Sequence, residues 1–265
     1  MSRLPLVISN LHGNYISNID LEINKISCIV GNSGKDKDEI EELILRKINC
    51  RYIRIIPKYR INVPLSVSEV LSLYEKKFGK RNEFILNFLG LDKKRKVTDL
   101  TEFEKFKLEL SQVAFGKTKL LLVENFMETF EEQLKSQAIK LIIKTANLLD
   151  FAVLFFFSNM EFIDVCERVY VIYGGKLLEY SIKSKEFYHP YSMTLKKSIL
   201  SIGKNNERVE VSYVGEPSLR GCPFHDYCEF VKKDRKLFRI CVSLFPPRAI
   251  INQNEVFCWL YSPRK

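Results

Sequence analysis

Residues 26–45 read ISCIVGNSGKDKDEIEELIL, and the fold follows from how this stretch is parsed. Ile26, Cys28, Ile29 and Val30 are the apolar run of a buried strand, Gly31, Asn32, Ser33 and Gly34 form a turn, and Ile40, Leu43, Ile44 and Leu45 recur at helical spacing. Strand, glycine-bearing turn and helix in that order make a phosphate-binding loop, in which backbone N–H groups and a helix N-terminus cradle an anion. The full pattern continues with glycine, lysine and a hydroxyl residue, and those positions hold Asp36, Lys37 and Asp38. Gly31, Ser33, Gly34 and Lys37 are the candidate anion-binding residues that survive. Asp36 stands where a missing side chain would clear room for phosphates, and Asp38 where a hydroxyl would help hold Mg²⁺. A carboxylate about 4 Å from a phosphate charge costs on the order of 4 kcal/mol at an effective dielectric of about 20. Either a carboxylate occupies the anion site in place of a phosphate, or the loop still admits nucleotide weakly; the plainer role of Asp36, Asp38 and Glu39 is to complement the dipole and cap the helix start.

Around this loop, 265 residues with 46% hydrophobic content suffice for one large domain or two small ones with a full core. The formal charge of +10 is spread along the chain without a basic arm or tail, which reads as a solvated surface with no nucleic-acid partner expected. The opening MSRLPLVISN lacks a signal-peptide core, and no apolar run reaches the ~18 residues a bilayer requires. An intracellular protein that reaches a membrane only through a partner is the expectation.

Upstream, Leu4 to Ile8 and the alternating Ile19, Leu21 and Ile23 suggest a small antiparallel sheet. Downstream, Arg51 to Pro57 reads as a strand, and Ser66 to Phe115 as an all-helical insertion. Lys119 to Val123, KLLLV, has the character of a central parallel strand. A helix from Phe130 to Leu148, a buried strand from Phe151 to Phe157, and a hairpin about Gly174-Gly175 follow. This alternation predicts an α/β layer architecture with right-handed crossovers.

With these segments in this order, residues from Leu4 to about Tyr180 resemble the ATP-binding cassette of ABC transporters. The remainder is similar to the tail of the oligopeptide and dipeptide importer subfamily: His189-Pro190-Tyr191-Ser192, Gly221-Cys222-Pro223-Phe224 with Cys228, Pro246-Pro247, and Cys258-Trp259-Leu260-Tyr261. Tyr227 stands where that tail has arginine. The resemblance implies a P-loop NTPase-like cassette over residues 1–183, with a parallel core sheet, a small antiparallel subdomain and a helical subdomain at about 64–116, followed by a Cys-rich extension over 184–265. It also implies a head-to-tail pair of cassettes, with each ATP held between one phosphate loop and the other subunit's signature loop. Carried over position by position, most catalytic motifs are altered. Leu120-Leu121-Leu122-Val123-Glu124-Asn125 replaces a strand ending in Asp-Glu; Glu124 could orient Mg²⁺ through water, whereas the Asn125 amide is no general base. Leu100-Thr101-Glu102-Phe103-Glu104 replaces the signature LSGGQ, Asn159 replaces the switch histidine, and Lys58 stands for the Mg²⁺-sensing glutamine. Losing a general base alone costs roughly 10²–10⁴ in rate, so the resemblance predicts no efficient hydrolysis.

Cys28, Cys50 and Cys166 lie singly in apolar surroundings and read as core residues. The other four form Cys222-x5-Cys228-x12-Cys241-x16-Cys258, a set of soft ligands where a reducing compartment disfavours disulfides. Four thiolates suit Zn²⁺ or a [4Fe–4S] cluster, and the tight pairs usual for structural zinc, with about two to four residues between, are absent. The subfamily resemblance implies the [4Fe–4S] cluster, with zinc, or buried cysteines that hold no ligand, as the alternatives. His225, between the first two cysteines, reads as an ordinary loop residue, its other reading being support to the ligands.

The combined expectation is a catalytically impaired importer subunit for peptides or oligosaccharides, peripheral on the cytoplasmic membrane face. By resemblance, its partners are a second, more complete cassette, two permease subunits and, indirectly, an extracellular substrate-binding protein, with docking around Pro57 to Leu73 and Phe88 to Leu100. A soluble iron–sulfur regulator built on the cassette and a slow genuine ATPase are the competing readings.

Overall fold

The continuous apolar runs become fully buried strands, and the amphipathic stretches become helices whose caps are written locally in the sequence. The computed structural model describes residues 6–31, 34–125, 130–182, 186–198 and 215–263. In chain order the elements are β1 (Leu6–Leu11), β2 (Ile19–Ile23), β3 (Ile26–Val30), α1 (Gly34–Lys47), β4 (Ile53–Ile56), α2 (Val67–Phe78), α3 (Glu83–Leu89), α4 (Glu102–Leu110) and β5 (Leu120–Val123). There follow α5 (Glu132–Leu149), β6 (Ala152–Phe157), β7 (Arg168–Tyr173), β8 (Lys176–Ile182), α6 (Pro190–Lys197), α7 (Glu229–Lys233), α8 (Arg235–Ser243), β9 (Arg248–Ile251) and β10 (Asn254–Phe257). Contacts divide these into two compact units, one dominated by Leu45–Phe156 and the other by Leu6–Glu22, Ser27–Ile44 and Phe157–Lys265.

In the first unit β4, β5 and β6 are parallel, with Leu120 opposite both Ile53 and Ala152. KLLLV thus occupies the inner position expected of it, and all four residues of β5 are buried. Helices α2 to α4 make up the insertion. Capping boxes start α2 (Ser66 with Glu69) and α4 (Thr101 with Glu104), each pairing a side-chain oxygen with a free N–H at the helix start. Arg54 of β4 is almost wholly buried, yet no carboxylate meets it in the bonds it makes: its guanidinium donates to the carbonyls of Arg51, Ile53, Gln112 and Phe115 and lies 3.7 Å from the Phe78 ring. Burial lowers its pKa to about 10, which leaves it charged. This one side chain fastens the end of the helical insertion to β4.

In the second unit β1 and β2 form a two-stranded sheet. There β3 runs parallel to β7, β7 antiparallel to β8, β8 to β10, and β10 to β9. The β7–β8 hairpin turns on Gly174 and Gly175, both at positive φ (+58° and +70°), as anticipated. Hairpin β9–β10 turns instead on Asn252 and Gln253, at φ +44° and +72°, and adds the C-terminal segment to the sheet edge.

Three expectations need correction. The strand read from Arg51 begins only at Ile53, because Asn49 accepts the Arg51 N–H and winds Cys50–Tyr52 into a 3₁₀ turn. That turn carries Cys50 to the surface, so of the three isolated cysteines only Cys28 and Cys166 are buried. The helix read from Phe130 starts at Glu132, since Glu131 is extended (φ −63°, ψ 151°).

After β4 the chain is clamped by a buried ion pair. Arg60 bonds Glu109 and the Pro57 carbonyl, Glu109 also accepts the Ile61 N–H at 2.6 Å, and both side chains are at most 3% exposed. Burial pushes the Glu109 carboxyl up to about 7 against the pull of Arg60. A raised folded-state pKa means the protonated form is favoured in the fold, so stability linked to Glu109 is full at low pH and is lost as pH rises through about 7. Arg60→Met, which strands that carboxylate, is expected to cost about 3–5 kcal/mol at pH 8 and progressively less as pH falls below 7. Denaturant titrations of both proteins across pH 5–8 check this; a cost independent of pH would refute it.

Candidate functional site

The four C-terminal cysteines, scattered over 37 positions of sequence, line one apolar pocket in the second unit together with His189, His225, Phe224, Val231, Leu237 and Trp259. The local sequence explains the convergence. Gly221 has φ +63°, and a Cβ there would stand 2.0 Å from the Cys241 carbonyl, the oxygen that accepts the Cys222 N–H at 2.8 Å. Glycine lets the Cys222 loop lie directly on α8, which Asp234 caps through the N–H groups of Lys236 and Leu237. On its inner side α8 presents Leu237 and Cys241, one turn apart. Trp259 Nε1–H donates to the Leu244 carbonyl at 2.9 Å and closes the segment bearing Cys258 over the pocket.

All four sulfurs belong to buried residues and none is in a disulfide. Burial raises the Cys222 thiol, the Phe224 N–H pulls it back, and Cys258, Cys241 and Cys228 add to the rise. Cys258 is likewise pushed up to about 12 by burial and by Cys228 and Cys241, against the Leu260 N–H. Cys228 is raised by burial, opposed by the N–H groups of Val231 and Phe230. Backbone donors therefore already point at three of the sulfurs, an arrangement suited to thiolate. The protons would leave only in exchange for a cation. Among the described residues no group of three or more His, Cys, Asp or Glu side chains is arranged to hold a single metal ion.

Behind the pocket lies Glu179 of β8, fully buried. Its carboxylate accepts the N–H groups of Tyr188 (2.9 Å) and His189 (3.0 Å) and the Asn254 amide (2.9 Å). Burial raises its pKa, and Ser192, Tyr188, His189 and Asn254 pull it back by hydrogen bonding. His189 caps α6, its Nδ1 accepting the Tyr191 N–H at 3.1 Å. His225 departs from the ordinary loop residue expected of it: it is buried, lines the pocket, and donates from Nδ1 to the Cys222 carbonyl at 2.7 Å. Neither Glu179 nor Asn254 carries a motif, and they are visible only once β10 is seen to pair with β8.

The cassette positions are engaged locally. In the second unit Gly31 allows no side chain, since a Cβ would stand 2.3 Å from the Ile172 carbonyl. Lys37 donates its ammonium to the Gly31 carbonyl at 3.0 Å. Asp36 is buried and Asp38 exposed in the first turns of α1, while Gly34 is exposed. Ser33 lies outside the described residues. Glu39 accepts the N–H groups of Asn14, Tyr15 and Ile16 at 2.6–2.7 Å, binding the β1–β2 loop to α1. Asn159 accepts the Glu161 N–H at 2.9 Å. In the first unit Glu124 accepts the Lys58 N–H at 2.7 Å, and Glu104 accepts that of Thr101 while pairing with Arg95.

No family model matches the sequence. Its homologues are ATP-binding proteins of oligopeptide and dipeptide ABC transporters. The oligopeptide transport ATP-binding protein OppD of Haemophilus influenzae is 23% identical over 253 aligned residues, spanning 86% of this chain and 76% of its own length. The dipeptide transport ATP-binding protein DppD of Caldanaerobacter subterraneus is 31% identical over 106 residues, 37% of this chain and 31% of its own. Among solved structures, a metal-chelate type ABC transporter in an inward-facing conformation aligns with TM-score 0.60 at 15% identity, over 72% of this chain and 88% of that one. The fold is that of an ABC ATPase cassette. No helix among the described residues is long and apolar enough to cross a membrane.

Glu179→Ala removes the acceptor for three or more buried donors, at about 1–3 kcal/mol for each one left unsatisfied. We expect destabilisation of about 3 kcal/mol or more and a sharp rise in alkylation of Cys222 and Cys258 under native conditions. Labelling rates equal to those of the unaltered protein would show that the carboxylate does not hold the pocket together.

Proposed function

We propose that this chain is an ATP-binding-cassette subunit of a peptide or oligosaccharide importer that has lost efficient hydrolysis and serves as the structural or regulatory half of a cassette pair. The observation that carries this reading is where the polar side chains at the nucleotide positions are spent. Lys37 binds the carbonyl of its own loop, Glu39 holds the β1–β2 loop, Glu124 holds Lys58, and Glu104 caps α4. These four side chains each have a partner in the backbone. The position of the general base holds a neutral amide, Asn125, which accepts no proton at working pH. The division into a cassette over residues 1–183 and an extension over 184–265 is part of this reading. So are a second, more complete cassette, two permease subunits met near Pro57 to Leu73 and Phe88 to Leu100, a substrate-binding protein outside, and a peripheral place on the cytoplasmic membrane face.

The extension is the holder of a [4Fe–4S] cluster on Cys222, Cys228, Cys241 and Cys258. The donor set fits: soft sulfurs in a dry aromatic and aliphatic shell, with N–H groups already aimed at three of them. All four line one common pocket, and their spacing in sequence lacks the tight pairs usual for structural Zn²⁺. Such a cluster, with a cysteine on every iron, supplies a structural staple or a one-electron store and no open catalytic metal. Gly221, Asp234 and Trp259 hold the loops in place, and Glu179 positions the strand and helix behind them.

Two measurements test the two halves. Titration with MgATP is expected to give no saturable binding tighter than about 1 mM, unchanged by Lys37→Ala; micromolar binding abolished by that substitution would overturn the impairment. Chain purified without oxygen is expected to carry iron and sulfide with a broad visible absorption band, both lost in Cys241→Ser. Zinc in place of iron would overturn the cluster.

A further inference from the structure

His189 does more than its position demands. As the N-cap of α6 it needs a single acceptor, a task usually given to Ser, Thr, Asp or Asn, and Nδ1 alone performs it. A larger, costlier ring has been buried to 1% exposure. Its packing is fixed on three sides: its own N–H is held by Glu179 at 3.0 Å, the Phe224 ring lies edge-on at 6.2 Å, and Pro190 follows at the first helical position. Accepting at Nδ1 leaves the ring a single N–H to place.

That proton can be placed. Since Nδ1 accepts from the Tyr191 amide, the hydrogen is on Nε2, and Nε2 stands 3.8 Å from Cys222 Sγ. The geometry points to His189 as a positioning residue whose Nε2–H donates to the Cys222 sulfur and tunes the electron affinity of the group held by the four cysteines. The inference rests on the iron–sulfur reading above. An N–H donated to a ligating thiolate stabilises negative charge on sulfur, and the reduced state carries more of it, so the bond raises the reduction potential. Cys222 already takes one N–H from Phe224. His189 adds a side-chain donor, in a tautomer fixed by the same backbone amide that it caps.

The two nitrogens can be separated by substitution. His189→Asn keeps an acceptor near Nδ1 and removes the donor, whereas His189→Gln keeps an amide N–H near Nε2 and weakens the cap. Full chains purified without oxygen are assayed for iron and sulfide and titrated for midpoint potential by visible absorption. We expect about four iron and four sulfide per chain in all three proteins, a more negative potential in His189→Asn, and a potential close to the original in His189→Gln. Equal potentials in the original and His189→Asn, with iron retained, would overturn the inference alone. So would an equal shift in both variants, which marks a merely structural role. Absence of iron from the original protein would overturn the cluster reading and this inference together.

Discussion

The described C-terminal segments are tied together by one fully buried carboxylate. Glu179 is fully buried, and its charge is offset by donors from two otherwise unrelated segments: the N–H groups of Tyr188 and His189, and the Asn254 amide. A buried carboxylate left unmatched would cost several kcal/mol, so those segments are held to Glu179 more firmly than by apolar packing alone. The consequences propagate. Val256 is set opposite Glu179 and Glu255 opposite Tyr180, which fixes the register of β10 and with it the approach of Cys258. The start of α6 is set at the same moment, and so the ring of His189 is aimed at Cys222.

A related economy runs through the cassette. Polar atoms of side chains at these positions must be satisfied, and the nearest donors are backbone amides left free at loops and helix starts. Glu39, Glu104 and Glu124 each take such amides. In the signature segment, glycines would leave N–H groups available to an outside phosphate, while Thr101 and Glu104 build a capping box that consumes them. These bonds contribute local stability at the loops and helix starts where they form.

The legible parts of the fold were those that local physics determines. Continuous apolar runs such as KLLLV and residues 151–157 can only be buried strands, and Gly174-Gly175 can only turn. Four late cysteines in a chain poor in other signals point to a common site. What escaped depends on long-range pairing. The four residues of β9 and of β10 are too short to show periodicity, and without that hairpin nothing distinguishes Glu179 and Asn254 from surface polar residues. Cys50 reads as buried from the apolar Ile48, Tyr52 and Ile53 nearby, but it is flanked by Asn49 and Arg51, and the Asn49 cap winds the backbone so that Cys50 faces outward. His225 looked ordinary because its partner is a carbonyl, which leaves no mark on composition.

The phosphate-type loop and the cysteine pocket are not independent, because they share a wall. Gly31 sits on the Ile172 carbonyl of β7, and the Tyr191 hydroxyl lies 3.9 Å from where its Cβ would be. Tyr191 stacks on Tyr173 at 4.6 Å and packs against Phe224 at 5.4 Å, and Phe224 lies beside Cys222 and donates its N–H to that sulfur. Close-packed interior side chains have little room to give and transmit strain to one another. A displacement of Phe224 is therefore felt by the tyrosines against which Gly31 rests.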